Sequence, residues 1–130
     1  MDEKVSYWFE LAEYDFETAK VMLEGNRYLY VGFMCHQVIE KMLKAYYTSK
    51  LSETPPFVHN LIKLADDSKI IEEMPEEYKR LLAELNPMNI KARYPSYKER
   101  ISAKLNKDEC TNLINKTEEV LLWIREKLLK

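Results

Sequence analysis

YLYVGFMCHQVIEKMLKAYYTSK, residues 28–50, decides the fold. Val31, Cys35, Val38, Met42 and Ile39, Leu43, Tyr46 recur at spacings of three and four, which predicts a helix from Tyr28 to Lys50. Apolar side chains cover much of its circumference, as they do on a central helix touched by several others. Set into this apolar run are His36, Gln37, Glu40, Lys41 and Lys44. Gln37, Glu40 and Lys44 stand three and then four residues apart, which puts an amide, a carboxylate and an ammonium on one stripe. A polar stripe on a largely buried helix must be paired, solvated in a cleft, or in contact with a partner. Gly32 inside the helix costs about 1 kcal/mol relative to Ala, and close approach of the preceding helix is its expected reason.

On the N-terminal side, Val5, Trp8, Phe9, Ala12, Phe16, Ala19 and Leu23 keep the same spacing and predict a helix over Glu3 to Glu24. Asp2 is placed to cap it, and Gly25-Asn26 suits a left-handed stop. The connection is short, so the two helices are antiparallel neighbours. On the C-terminal side, Ser52-Glu53-Thr54-Pro55-Pro56 forms a loop. Val58, Leu61, Ile62 and Ala65 predict a short third helix, broken at Asp66-Asp67-Ser68. Pro75 opens a fourth, with Tyr78, Leu81, Leu82 and Leu85 inward, and Pro87 is expected to end it. Asn86-Pro87-Met88-Asn89 then reads as a turn within an irregular stretch over 87–105, where Ile90 to Tyr94 could be extended. Asn106, with Glu109 three residues on, resembles a capping box for a last long helix reaching about Leu129. Its inward face is Cys110, Leu113, Ile114, Thr117, Leu121, Ile124 and Leu128. The expected architecture is all-α: an antiparallel up-and-down bundle of three long and two short helices, one domain over residues 1–130.

The totals agree with that class. A chain of 130 residues, 46% apolar and with only two glycines, can bury one core and is neither disordered nor turn-rich. A net charge of −2 supplies no general attraction to nucleic acid or anionic lipid, so local patches must carry any such role. The N-terminus has no apolar signal region, and no apolar run is long enough to span a bilayer. Cys35 and Cys110 could pair, but their apolar settings favour buried thiols in a reducing cytoplasm.

The stretch Lys91-Ala92-Arg93-Tyr94-Pro95-Ser96-Tyr97-Lys98-Glu99-Arg100 interleaves cations with tyrosines. Arginine grips phosphate with a planar fork, and tyrosine stacks on a base or donates to phosphate. The bland alternative is a solvated loop whose arginine pairs with an acid such as Glu40. Acid dominates from Asp66 to Glu77, so the chain is polarised despite its small net charge. His36 and Glu40, one turn apart, are too few for a metal site. His59 either bridges the junction of loop and third helix or joins a binding site. Two glycines leave no room for a phosphate-binding glycine loop, and no serine–histidine–aspartate motif is present. Tyr28, Tyr30, Tyr46 and Tyr47 lie near the ends of the second helix, where a partner bundle could pack.

Taken in order, several of these motifs resemble the HEPN domain (higher eukaryote and prokaryote nucleotide-binding). They are Ala12-Glu13-Tyr14-Asp15-Phe16-Glu17-Thr18-Ala19, the turn Gly25-Asn26-Arg27-Tyr28, His36-Gln37-Val38-Ile39-Glu40-Lys41-Met42-Leu43-Lys44-Ala45, His59-Asn60-Leu61 and Ala92-Arg93-Tyr94-Pro95. The resemblance implies a helical bundle, commonly a homodimer, that associates with nucleotide or RNA. It also implies a frequent neighbour, a small nucleotidyltransferase in a toxin–antitoxin arrangement. Ribonuclease members carry an arginine followed a few residues later by a histidine near the start of the last long helix. Here no histidine follows Arg93 or Arg100. The expectation is therefore a non-catalytic nucleotide- or RNA-binding module needing no cofactor or metal. Gln37, Glu40, Lys44, His59, Arg93, Tyr94 and Tyr97 form its site. Arg93 and Lys44 would meet phosphate, Tyr94 or Tyr97 would stack, Glu40 would orient the cations, and Gln37 would add amide contacts. The alternatives are an accessory subunit for the nucleotidyltransferase, and a divergent ribonuclease with His36 or His59 as general base.

Overall fold

The computed structural model describes residues 1–91 and 105–130, with side chains for all of these except Ile90 and Lys91. In chain order the elements are α1 (Glu3–Glu24), α2 (Tyr28–Leu51), α3 (Leu61–Asp67), a 3-10 turn at Ile70–Glu73, α4 (Glu76–Lys91) and α5 (Lys107–Leu128). No strand occurs among the described residues. The antiparallel all-α bundle expected from the periodicity is the observed architecture.

Each boundary has a local cause. The Asp2 carboxylate accepts the Val5 N–H at 2.9 Å, a cap of the kind that contributes about 1 kcal/mol. At the other end of α1, Asn26 rather than Gly25 takes the left-handed conformation, at φ 58°, and Arg27 N–H donates to the Met22 carbonyl at 2.8 Å. This tight stop turns the chain straight into α2. Ser52 closes α2 in the same way, at φ 54°. The Asn106 side chain accepts the Glu109 N–H at 2.9 Å and starts α5 where the capping pattern placed it.

α2 is the axis of the bundle. It packs on α1, α3, α4 and α5, and Val31, Cys35, Val38, Ile39, Met42, Leu43 and Ala45 are fully enclosed. Each large apolar side chain so enclosed contributes about 1.5–3 kcal/mol relative to exposure.

Three expectations change. Pro87 does not end α4: the helix runs on to Lys91 with Pro87 inside it. The ring sits on the solvent side, where water can satisfy the carbonyl that loses its donor, while Leu85 and Asn89 are buried on the core side. Asn86–Asn89 is therefore helix, not turn. Gly32 does face a close approach, but from α4: a Cβ there would stand 2.6 Å from Met88 Sδ. The third helix begins at Leu61, later than Val58 suggested, because Asn60 caps it by accepting the N–H groups of Ile62 and Lys63 at 3.0 and 3.1 Å.

Candidate functional site

The cap that starts α3 also fixes what precedes it. The Asn86 side chain on α4 accepts the Leu61 N–H at 2.8 Å and donates to the Asn60 side chain at 3.1 Å. The preceding loop makes a tight turn, with Val58 N–H donating to the Pro56 carbonyl at 2.9 Å. Between turn and clamp, His59 is laid against α2. Its Nδ1 stands 2.9 Å from Glu40 Oε1. The other carboxylate oxygen, Oε2, accepts from Lys44 Nζ at 3.0 Å. Glu40 and Lys44 are only 4% and 5% exposed, whereas half of the His59 side chain faces solvent.

The hydrogen-bond pattern sets the proton positions. A carboxylate only accepts, so His59 carries its proton on Nδ1 and turns Nε2 away from Glu40. His36 sits beneath, fully buried, and its Nε2–H donates to the His59 carbonyl at 2.9 Å. His36 Nδ1 lies 3.8 Å from Glu40 Oε1. Lys44 also stands over the ring of Trp8 on α1, 5.5 Å from its centroid. A buried acid thus gathers one ammonium and one imidazole, and exposes the imidazole. Such a pair is costly to break, because removing one partner strands the other charge in low dielectric.

Glu40, Lys44 and His59 are therefore brought together. Gln37 is not with them: its Nε2 donates to the Asn89 side chain on α4 at 3.2 Å. Arg93, Tyr94 and Tyr97, and the closure of their segment over α2, lie outside the described residues. Glu40 pairs with Lys44 and His59, not with an arginine, among the described residues. Lys41, from the same helix, pairs with Asp15 on α1.

Sequence reasoning missed Trp8, Asn60 and Asn86. Trp8 fitted the core periodicity of α1, and nothing in the spacing joins position 8 to position 44. Asn86 was absorbed into the turn that Pro87 suggested.

Cysteine chemistry has no foothold. Cys35 and Cys110 are free and buried, and burial pushes their thiols up to about 12 and about 11. Both are protonated near neutrality and so are poor nucleophiles and ligands. No cluster of three histidine, cysteine or acidic side chains able to hold a metal occurs among the described residues. No helix there is long and apolar enough to cross a membrane.

Comparison with known proteins bears on the fold and the family. No protein with a curated description matches the sequence. The crystal structure of TT1696 from Thermus thermophilus superposes with a TM-score of 0.82 at 19% identity, covering 97% of this chain and 99% of that one. At that identity the likeness shows the fold. The HEPN domain model matches residues 5–127, nearly the whole bundle, and the chain belongs to the HEPN domain family.

Proposed function

We propose that this chain is a non-catalytic module that binds nucleotide or RNA and works as a homodimer. The observation that carries this reading is His59. Its Nδ1 is bonded to the buried Glu40, and half of its side chain is exposed to solvent. Nε2 can accept from a ribose hydroxyl or, when protonated, donate to phosphate. Lys44 neutralises Glu40 from within, so the carboxylate does not repel an anion arriving at His59. Arg93 supplies the phosphate fork, and Tyr94 or Tyr97 bonds to the ribose. Gln37 supports the site through α4 rather than touching the ligand.

Calorimetric titration with nucleoside monophosphates tests this. Arg93→Ala and His59→Ala should each weaken binding at least about fivefold, with the fold intact by circular dichroism. If both bind like the parent, the site is misplaced. Light scattering on the parent should give the mass of a dimer.

A second reading, an accessory subunit for a small nucleotidyltransferase, is favoured by one surface. Tyr14 and Val21 on α1 and Leu122 and Leu129 at the end of the chain are exposed. A groove of about 530 Å³, with Glu10, Glu13, Glu17 and Glu118 in its walls, lies between α1 and α5. Co-purification with the product of a neighbouring nucleotidyltransferase gene supports this reading; failure to associate removes it.

A further inference from the structure

A second recess adjoins the Glu40 cluster. Tyr7, Trp8, Thr48, Thr54 and Pro55 line a cleft of about 480 Å³ between the start of α1, the end of α2 and the loop that follows. That volume lies in the range of small-ligand sites. Its apolar walls are the Tyr7 and Trp8 rings, edge to face at 5.6 Å, and the proline. Its polar lining is Thr48, Thr54, Lys4 and Glu3. Tyr7 is 59% exposed. The cleft is not separate from the polar cluster, because Trp8 is the ring over which Lys44 stands.

We infer that this cleft is the base subsite of the module: it takes the planar ring of a nucleotide, stacked on one of the Tyr7 and Trp8 rings and edge-on to the other. This rests on the binding role proposed above and extends it from the phosphate and ribose to the base. Three features select a flat, uncharged, electron-rich ring. The aromatic walls stack on any base, and the proline adds an apolar face. The Lys44 ammonium draws on the π-electrons of Trp8 and favours an electron-rich ring against it. The Thr54 hydroxyl and Lys4 offer hydrogen bonds to the edge of a base, while the Thr48 hydroxyl, which already donates to the Lys44 carbonyl, can only accept. The same Lys44 touches Trp8 and Glu40, and Glu40 holds His59. A ring in the cleft and a ribose or phosphate at His59 are thus joined by one continuous set of contacts.

Trp8 is its own reporter. The chain has two tryptophans, so Trp123→Phe leaves Trp8 as the sole indole emitter. In that background adenosine monophosphate and adenosine should each change Trp8 emission saturably, and inorganic phosphate should not. Tyr7→Ala removes an exposed ring and should leave the thermal melt unchanged. It should weaken adenosine monophosphate roughly 5- to 100-fold, as loss of a stacking aromatic does, and leave phosphate affinity unaltered. If adenosine monophosphate binds Tyr7→Ala like the parent and Trp8 emission stays still, while His59→Ala lowers affinity, the base subsite is wrong and the binding role stands. If the parent binds neither adenosine monophosphate nor phosphate, both fall. If Trp8 emission instead follows protein concentration alongside dimer formation, a second copy covers the cleft and the inference fails.

Discussion

Two lysines three residues apart on α2 meet acids in different ways. Lys41 reaches across to Asp15 on α1, and the pair is partly open to solvent. It clips two helices together and is complete in itself. Lys44 turns back to Glu40 on its own helix, inside the protein, and that pair is unfinished until His59 arrives from the loop before α3. The first pair would serve any bundle. The second places an imidazole on the surface with its inner nitrogen committed and its outer nitrogen turned away from the acid. Charge at a helix contact and charge at a site thus differ in burial and in whether every bonding position is used.

The largest effect should separate the two pairs directly. Glu40→Ala strands the Lys44 ammonium in the core and should cost about 3–5 kcal/mol in urea unfolding. Asp15→Ala leaves Lys41 able to turn to water and should cost about 1 kcal/mol. Equal losses would erase the distinction.

Cys35, on the apolar side of α2, tests enclosure without charge. Its thiol is raised by burial to about 12, partly offset by the Thr117 hydroxyl. The native state holds the proton after the unfolded chain, at about 8.5, has lost it. Stability from this group is therefore complete below about pH 8.5 and drains away as pH climbs towards about 12, by up to a few kcal/mol. Chemical denaturation across that range should show the slope, and Cys35→Ala should make it shallower, leaving the part due to Cys110, even though the variant is less stable throughout.

Asn86→Ala removes the two hydrogen bonds that clamp the start of α3. It should cost about 1–2 kcal/mol. It should also free the His59 ring, visible as loss of its fixed tautomer, whereas Asp15→Ala should leave that ring unmoved.

The smallest effect lies at the rim. Lys127 on α5 bonds Glu73 in the 3-10 turn at 2.9 Å and holds its carboxyl below the usual range. That contribution is present above the unfolded value and disappears as pH falls through the depressed native one. Glu73 is solvent-exposed, so Glu73→Gln should leave the neutral-pH melting temperature almost unchanged and only trim the acid limb.

Much of the bundle was legible because α1, α2 and α5 carry long three-four periods that only a helix can satisfy, with Asp2 and Asn106 marking the starts. Pro87 misled because proline breaks a helix only where its lost hydrogen bond cannot be replaced. On the wet side of α4, with Leu85 and Asn89 anchored on the dry side, it does not. The polar stripe was half legible. Spacing put Glu40 beside Lys44, since both sit on one helix. It could not bring His59 or Trp8 to them, because those contacts depend on how a loop and a neighbouring helix pack. It also could not show that Gln37, on the same stripe, would turn towards Asn89.

The tautomers are read by long-range nitrogen–proton NMR of the two histidine rings. His59 should carry its proton on Nδ1, its Nε2 signal should move on titration with adenosine monophosphate, and His36 should stay as it was with its proton on Nε2. A His59 proton resident on Nε2 in the free protein, or a His59 signal that stays still while calorimetry records binding, would contradict a site at His59.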